Sequence, residues 1–380
     1  MPASHAPARA LAADGFRPGT GWLIGIVLAV ITFWLFAQTF INVNPAVQSS
    51  LGIPQTTTNL AVSVAALFSG IFVVVAGGLA DRLGRVRMLR IGLVLSIIGS
   101  ALVALAPADA GALTSSVLLG GRIAQGLSAA AIMPSALALI NTFFQGADRQ
   151  RAVSFFSIGT FGGSGVTSFF GGLMASSFFG WRGIFALSIL VAIGALLLTR
   201  GTPEVKAQAP AGGHARFDPG GVIVFVITLL ALNVYISQGP RIGWLSLAGI
   251  ALLVVTVIGL IAFIAIETRK AAPFLHLDLF RIPTFTGAVV ANFLANATIG
   301  TIFLVQNFLQ KGAGWSPLAA ASLTLGYLIA ILSLIRVGEK LLQRFGPKRP
   351  MTWGMAILGT AVLPCAPSRS SRCPSTWWSR

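Results

Sequence analysis

The stretch "GGLADRLGRVRMLRIG", residues 77–92, sets one acid, Asp81, and four arginines, Arg82, Arg85, Arg87 and Arg90, between two long apolar runs. Its chemistry is electrostatic. Asp81 can pair with the neighbouring arginines, and either sign of charge can complement the end of an adjacent helix. Gly77 and Gly84 allow a tight turn and close approach of backbones. A second candidate is Arg122, inside the apolar run "GRIAQGLSAAAIMPSALALI" (121–140). A guanidinium in hydrocarbon costs roughly 2.5–3.5 kcal/mol on insertion scales. It therefore needs a polar partner or a water-filled cavity, unless it snorkels to the near surface. No catalytic or metal-ligating set accompanies these residues. His5, His214 and His276 fall in a tail or in loops, and both cysteines, Cys365 and Cys373, fall in the last 16 residues.

The elements that must position these charges are helices in a bilayer. Of the 380 residues, 55% are apolar and 9% charged, more apolar surface than a water-soluble core can hide. Runs of about 20 apolar residues recur along the chain, each long enough to cross roughly 30 Å of hydrocarbon. Lipid offers backbone groups no partner, so the spans are helical. Charge breaks and periodicity predict ten full spans, at 21–41, 59–80, 88–106, 116–141, 152–175, 182–199, 220–238, 244–266, 284–309 and 316–335, with an eleventh from near Pro350. No short apolar stretch with a cleavage site precedes the first, which is expected to be retained.

The net charge of +17 forms no continuous basic face, so nucleic acid is not the expected partner. It reads as topology. With the N-terminus in the cytoplasm, 19 of the 26 basic residues fall in inner segments and only Arg182, Arg241 and Lys311 in outer loops. The 77–92 turn is then cytoplasmic. Two longer inner loops, 200–221 and 267–283, divide the chain into a cytoplasmic tail (1–20), six spans (21–199), loops with two linker spans (200–283), a partial second set (284–363) and a tail (364–380). A shift of 262 residues lays "LADRLGRVRMLRIG" over "LLQRFGPKRPMTWG", pairing Gly84 with Gly346 and Arg82 with Arg344. Parallel repeats of a transporter explain that self-similarity.

"GGLADRLGRVR" resembles the signature between spans 2 and 3 of the major facilitator superfamily, through Gly77, Leu79, Asp81, Arg82, Gly84 and Arg85. The plain alternative is an ordinary basic inner turn. Span 4 resembles the same superfamily's fourth-span motif through Arg122, Gln125, Gly126, Ala130 and Pro134, which implies a proton-linked role. In span 5, "GTFGGSGVTSFFGG" (159–172), with Gly159, Gly163, Gly171 and Gly172, resembles the antiporter motif of that superfamily and implies a hinge or seal. Small residues at these steps also simply let helices pack closely. Thr167 and Ser168 stand where that motif has its Gly-Pro pair, so a weaker kink is expected there.

With "GWRGIF" (180–185) and "GTPEVKA" (201–207), the first 200 residues are similar to the 14-span drug:proton antiporter branch, most of all to quinolone-exporter-type multidrug permeases. The resemblance implies the major facilitator fold: an all-α polytopic membrane protein with a complete N-terminal six-helix half, two linker helices and an incomplete C-terminal half. It implies export of amphipathic compounds against proton entry by alternating access, in a bacterial cytoplasmic membrane. It further implies a monomer with no catalytic site, no metal and no cofactor beyond the proton gradient. Asp81, Arg82 and Arg85 would form the inner gate.

Two departures matter. Many members of this branch carry an aspartate in the first span, where this chain has Ala37 and Gln38, and all nine acids lie in loops or at span ends. Candidate substrate contacts are Gln38, Asn42, Asn233, Asn292, Asn296 and Gln306, with Phe293 and Phe303; packing between helices is the equal alternative. From Pro364 the apolar period gives way to "PCAPSRSSRCPSTWWSR", which reads as a frameshift or premature stop, with a genuine short tail as the alternative. The rival functions are a metabolite or sugar carrier of the same superfamily, and a truncated remnant that does not transport.

Overall fold

The computed structural model describes residues 16, 18–175, 177–206, 219–270, 277–309, 314–346 and 348–362. The aberrant tail from Pro364 lies outside the described residues. Those that are described form helices joined by short turns. In chain order they are α1 (Thr20–Leu51), α2 (Gln55–Leu83), α3 (Arg85–Ala104), α4 (Ala112–Phe143), α5 (Gly146–Ser157), α6 (Gly163–Ala175), α7 (Gly180–Thr199), α8 (Pro219–Ile242), α9 (Leu247–Arg269), α10 (Pro283–Asn307), α11 (Pro317–Phe345) and α12 (Lys348–Val362). Each expected span has its helix. Seven of them are long and apolar enough to cross a membrane: α1 to α4, α7, α8 and α9. Span 5 is outside that set because a π-helical turn, Ile158–Gly162, divides it into helices of 12 and 13 residues.

Local chemistry sets the boundaries. Gly52, left-handed at φ 63°, ends α1. Pro219, Pro283 and Pro317 open α8, α10 and α11 at the position where a missing N–H costs nothing. Ser246 caps α9, its Oγ accepting from the Gly249 amide at 3.1 Å. Span 1 runs ten residues beyond its expected end, through Pro45, because the polar stretch "NVNPAVQSS" keeps its helical turn while burying Val43 and Val47.

The chain divides into two compact units, Met1–Leu277 with Trp315–Ile331, and Asp278–Gly314 with Leu332–Arg380. In the first, α1 packs on α7, α6 and α4, α3 lies against α4 and α7, and α2 packs on α4 and α8. Its core has two large centres and a smaller one of Ala76, Ala80, Met88, Ala130 and Ala131. Trp22, Ile26, Val86, Leu89 and Leu139 fill the gate-turn end, while Phe36, Phe40, Val103, Leu118 and Phe185 fill the opposite end. In the second unit α10 packs on α12. Gly84 between α2 and α3 and Gly346 after α11, paired by the internal repeat, both take positive φ, 117° and 71°.

Candidate functional site

The α2–α3 turn is built on Arg85. Its Nε and Nη2 donate to Asp81 Oδ1 at 3.1 and 2.9 Å, and its Nη1 donates to Thr142 Oγ1 at 2.7 Å and to the Ala138 carbonyl at 3.4 Å. One side chain thus ties the α2–α3 turn to the end of α4. Asp81 is half exposed, so the ion pair itself contributes only about 0.3–0.5 kcal/mol. Arg82 and Asp81 are both solvent-exposed. Leu79 packs against the buried Ala76, Ala80 and Met88, and a Cβ added to Gly77 would touch Pro134 at 3.7 Å.

α3 begins with no capping side chain of its own and no acid in its first turn. Its free amides are taken by Glu204 instead, a residue that sequence reasoning left among the loop acids. Glu204 Oε1 accepts from the Val86 amide and Oε2 from the Arg87 amide, both at 2.9 Å, while the Arg85 amide donates to the Val205 carbonyl at 2.9 Å. A carboxylate at a helix N-terminus meets both the free N–H groups and the positive end of the dipole. A Cβ on Gly84 would run into that carboxylate, and φ of 117° already favours glycine. The same segment holds α1, since Trp22 Nε1 donates to Thr202 Oγ1 at 2.8 Å. At the other end of α3, Arg182 donates from Nε to the Ala104 carbonyl at 3.0 Å and from Nη2 to that of Ala106 at 3.1 Å. "GTPEV" and "GWRGIF" therefore cap the two ends of one helix with charges of the matching sign.

Arg122 does not snorkel. It is 1% exposed and sits among α1, α2 and α4. Nε donates to the Ala61 carbonyl at 2.9 Å, and Nη1 to the Phe36 carbonyl at 2.8 Å and to Gln125 Oε1 at 2.7 Å. The guanidinium lies 4.4 Å from the centre of the Phe40 ring, a cation–π contact. Every one of these partners is neutral. Gln125 Nε2 passes the chain on to Ser100 Oγ at 3.1 Å, and Ser100 to Ser188 Oγ at 3.3 Å, so the network reaches α3 and α7. Gly126 permits the contact of α4 with α2: a Cβ there would lie 2.6 Å from the Ala65 carbonyl.

Span 5 carries a π turn, Ile158–Gly162, ahead of Thr167. Thr160 Oγ1 donates to the Phe156 carbonyl at 2.9 Å within it, a back-bond that bends helices. Gly159 faces Val27, Gly163 faces Trp34 and Gly171 faces Thr39, so three of the four named glycines pack on α1; Gly172 is buried. Thr39 Oγ1 also donates to the Thr167 carbonyl at 3.2 Å.

Asn233 is half-buried on α8 in the first unit. Asn292 and Asn296 are exposed on α10 in the second, where Asn296 Nδ2 donates to the Asn292 carbonyl at 2.8 Å and to its Oδ1 at 3.1 Å. The side chains of Gln38, Asn42, Gln306 and Phe303 lie outside the described residues.

A helical bundle of membrane-length segments, with a charged turn at one end and a buried cation inside, is the architecture of a multi-pass membrane transporter. The chain belongs to the Major Facilitator Superfamily, whose profile matches residues 23–379. It is 47% identical over 350 residues to the quinolone resistance protein NorB of Staphylococcus aureus strain MRSA252, covering 92% of this chain and 73% of that protein. Against NorB of strain Newman the identity is 46% over the same shares. Among solved structures, a POT family transporter in complex with 5-aminolevulinic acid shares the fold at a TM-score of 0.58 and 18% identity, covering 92% of this chain and 76% of that one. The peptide transporter POT in complex with sulfate does so at 0.56 and 17%, covering 93% and 75%. The family is one of transporters, so this chain is a transporter and not an enzyme.

Proposed function

We propose that the protein exports drugs or other amphipathic compounds in exchange for protons, by alternating access of a central site. The observation that carries this reading is Arg122, a cation held inside the helix bundle by neutral oxygens alone. A charge kept there against its desolvation cost marks a working pathway in a membrane protein. Likeness to NorB supports the substrate class.

In this reading Asp81, Arg82 and Arg85 latch the cytoplasmic gate. Arg122 and Gln125, on a helix seated by Gly126 and Pro134, form the proton-linked network. The span-5 glycines with the π turn supply the hinge or seal. Gln38, Asn42, Asn233, Asn292, Asn296 and Gln306 contribute polar contacts to an otherwise apolar cavity. The protein works as a monomer in the bacterial cell membrane with its N-terminus in the cytoplasm. The proton gradient drives it, and no bound cofactor is needed.

The test is ethidium efflux from cells expressing the full chain. Wild type should lower accumulation, and a protonophore should abolish the effect. Asp81→Asn should cut efflux about tenfold while leaving the amount of folded protein unchanged, because the exposed pair contributes little to stability. Accumulation equal to that of cells without the protein, or efflux indifferent to the protonophore, overturns the proposal.

A further inference from the structure

α3 and α7 lie side by side, and each presents an apolar stripe away from the bundle: Ile91, Val94 and Ile98 on α3, Leu190, Ile193 and Leu197 on α7, between 39% and 66% exposed. The spacings, i, i+3 and i+7, hold each stripe on one helix face. Both stripes end in exposed basic side chains at the gate-turn end, Arg87 and Arg90 at the start of α3 and Arg200 and Lys206 beyond α7. Two backbone contacts bring the four together. Arg90 Nη2 donates to the Arg200 carbonyl at 2.7 Å, and the Arg87 amide is held by Glu204, two residues before Lys206. Glu204 is the one acid of the patch, and both its oxygens are engaged by backbone amides.

In the same turn Arg85 is already paired with Asp81. Arg87, Arg90, Arg200 and Lys206 are exposed, beside a surface only acyl chains can solvate. We propose that this edge is a binding site for an anionic phospholipid, its phosphate among Arg87, Arg90, Arg200 and Lys206 and its acyl chains along the α3 and α7 stripes. Charge complementarity at the membrane surface favours an anionic over a zwitterionic headgroup by a few-fold per cation. The site stands apart from the Arg122 network and does not depend on the transport reading.

The experiment is native mass spectrometry of the full chain in detergent, titrated with chain-matched phosphatidylglycerol or phosphatidylcholine. Wild type should bind phosphatidylglycerol at least about tenfold more tightly. Arg87→Gln with Arg90→Gln, Arg200→Gln and Lys206→Gln should bring the two lipids level. Lysine at the three arginine positions should keep the preference, as should Arg149→Gln with Arg151→Gln, which removes charge from another segment. A large excess of inorganic phosphate should not displace the lipid. Equal binding of the two lipids by wild type overturns the site, and that result needs no variant to fold. A preference that survives the glutamine changes, or displacement by phosphate, overturns it equally.

Discussion

Arg122→Met is expected to abolish efflux while leaving a folded, membrane-inserted protein. Methionine fills a similar volume and needs no hydrogen bonds. The lost bonds to the Ala61 and Phe36 carbonyls are replaced by nothing, but those oxygens belong to helices and keep their ladder partners. Gln125 Oε1 loses a donor, at a cost of about 1–3 kcal/mol. Against that stands the relief of a desolvated cation, which in buried ion clusters is neutral or favourable by about 1–4 kcal/mol. The two terms offset, so the apparent Tm in detergent should move by only a few degrees. Arg122→Ala differs, because it opens a cavity, and should lower stability by about 3 kcal/mol. Arg122→Lys keeps the charge but not the planar fork that reaches three acceptors at once, and should lose about tenfold in efflux. Ethidium efflux and thermal unfolding followed on the same samples decide the matter. Normal transport by Arg122→Met removes the cation from the mechanism.

The helices themselves were legible, because a span's length and apolarity are local properties of the chain. So was the gate turn, where Asp81 and Arg85 are one helical turn apart and Gly84 marks the break. Arg122 was legible as an anomaly but not as a solved one. Gln125 Oε1 is three residues along, but its two other acceptors are backbone oxygens 61 and 86 residues away, which no side-chain pattern announces. Glu204 was hidden for the same reason: its partners are amides 117 and 118 residues distant. The available signal was negative, a helix α3 starting after glycine with neither a capping side chain nor an acid in its first turn. Span 5 shows a different limit. The apolar run predicts a helix, but a π turn inserts one residue without changing composition, so nothing in the run announces the interruption at Ile158–Gly162. On α10 the Asn296 side-chain amide donates to the Asn292 side-chain oxygen one turn away, a pairing that their spacing announces.

Gly84→Val is expected to be the most damaging single change in the gate turn. A β-branched residue at φ 117° is a backbone outlier, and its Cβ would occupy the space of the Glu204 carboxylate. Strain and overpacking each cost of order 1–3 kcal/mol, so the sum is about 3 kcal/mol or more, enough to empty the membrane of folded protein. Glu204→Ala should cost less, about 1–2 kcal/mol, the usual cost of a lost cap, since water can reach the exposed Arg87 amide once the carboxylate is gone. Glu204→Gln keeps one acceptor oxygen and should cost under about 1 kcal/mol. The cycle of Gly84→Ala, Glu204→Ala and the double variant separates the two contributions to the glycine's requirement. Removing the carboxylate vacates the space that the added methyl needs, so the double variant should be more stable than the sum of the singles by about 1 kcal/mol. The backbone strain stays, so it should not recover fully. Thermal unfolding in detergent measures the cycle. Strict additivity would mean that Gly84 is required by its φ alone and not by the carboxylate beside it; a full rescue would mean that the carboxylate, and not the backbone, is what the glycine accommodates.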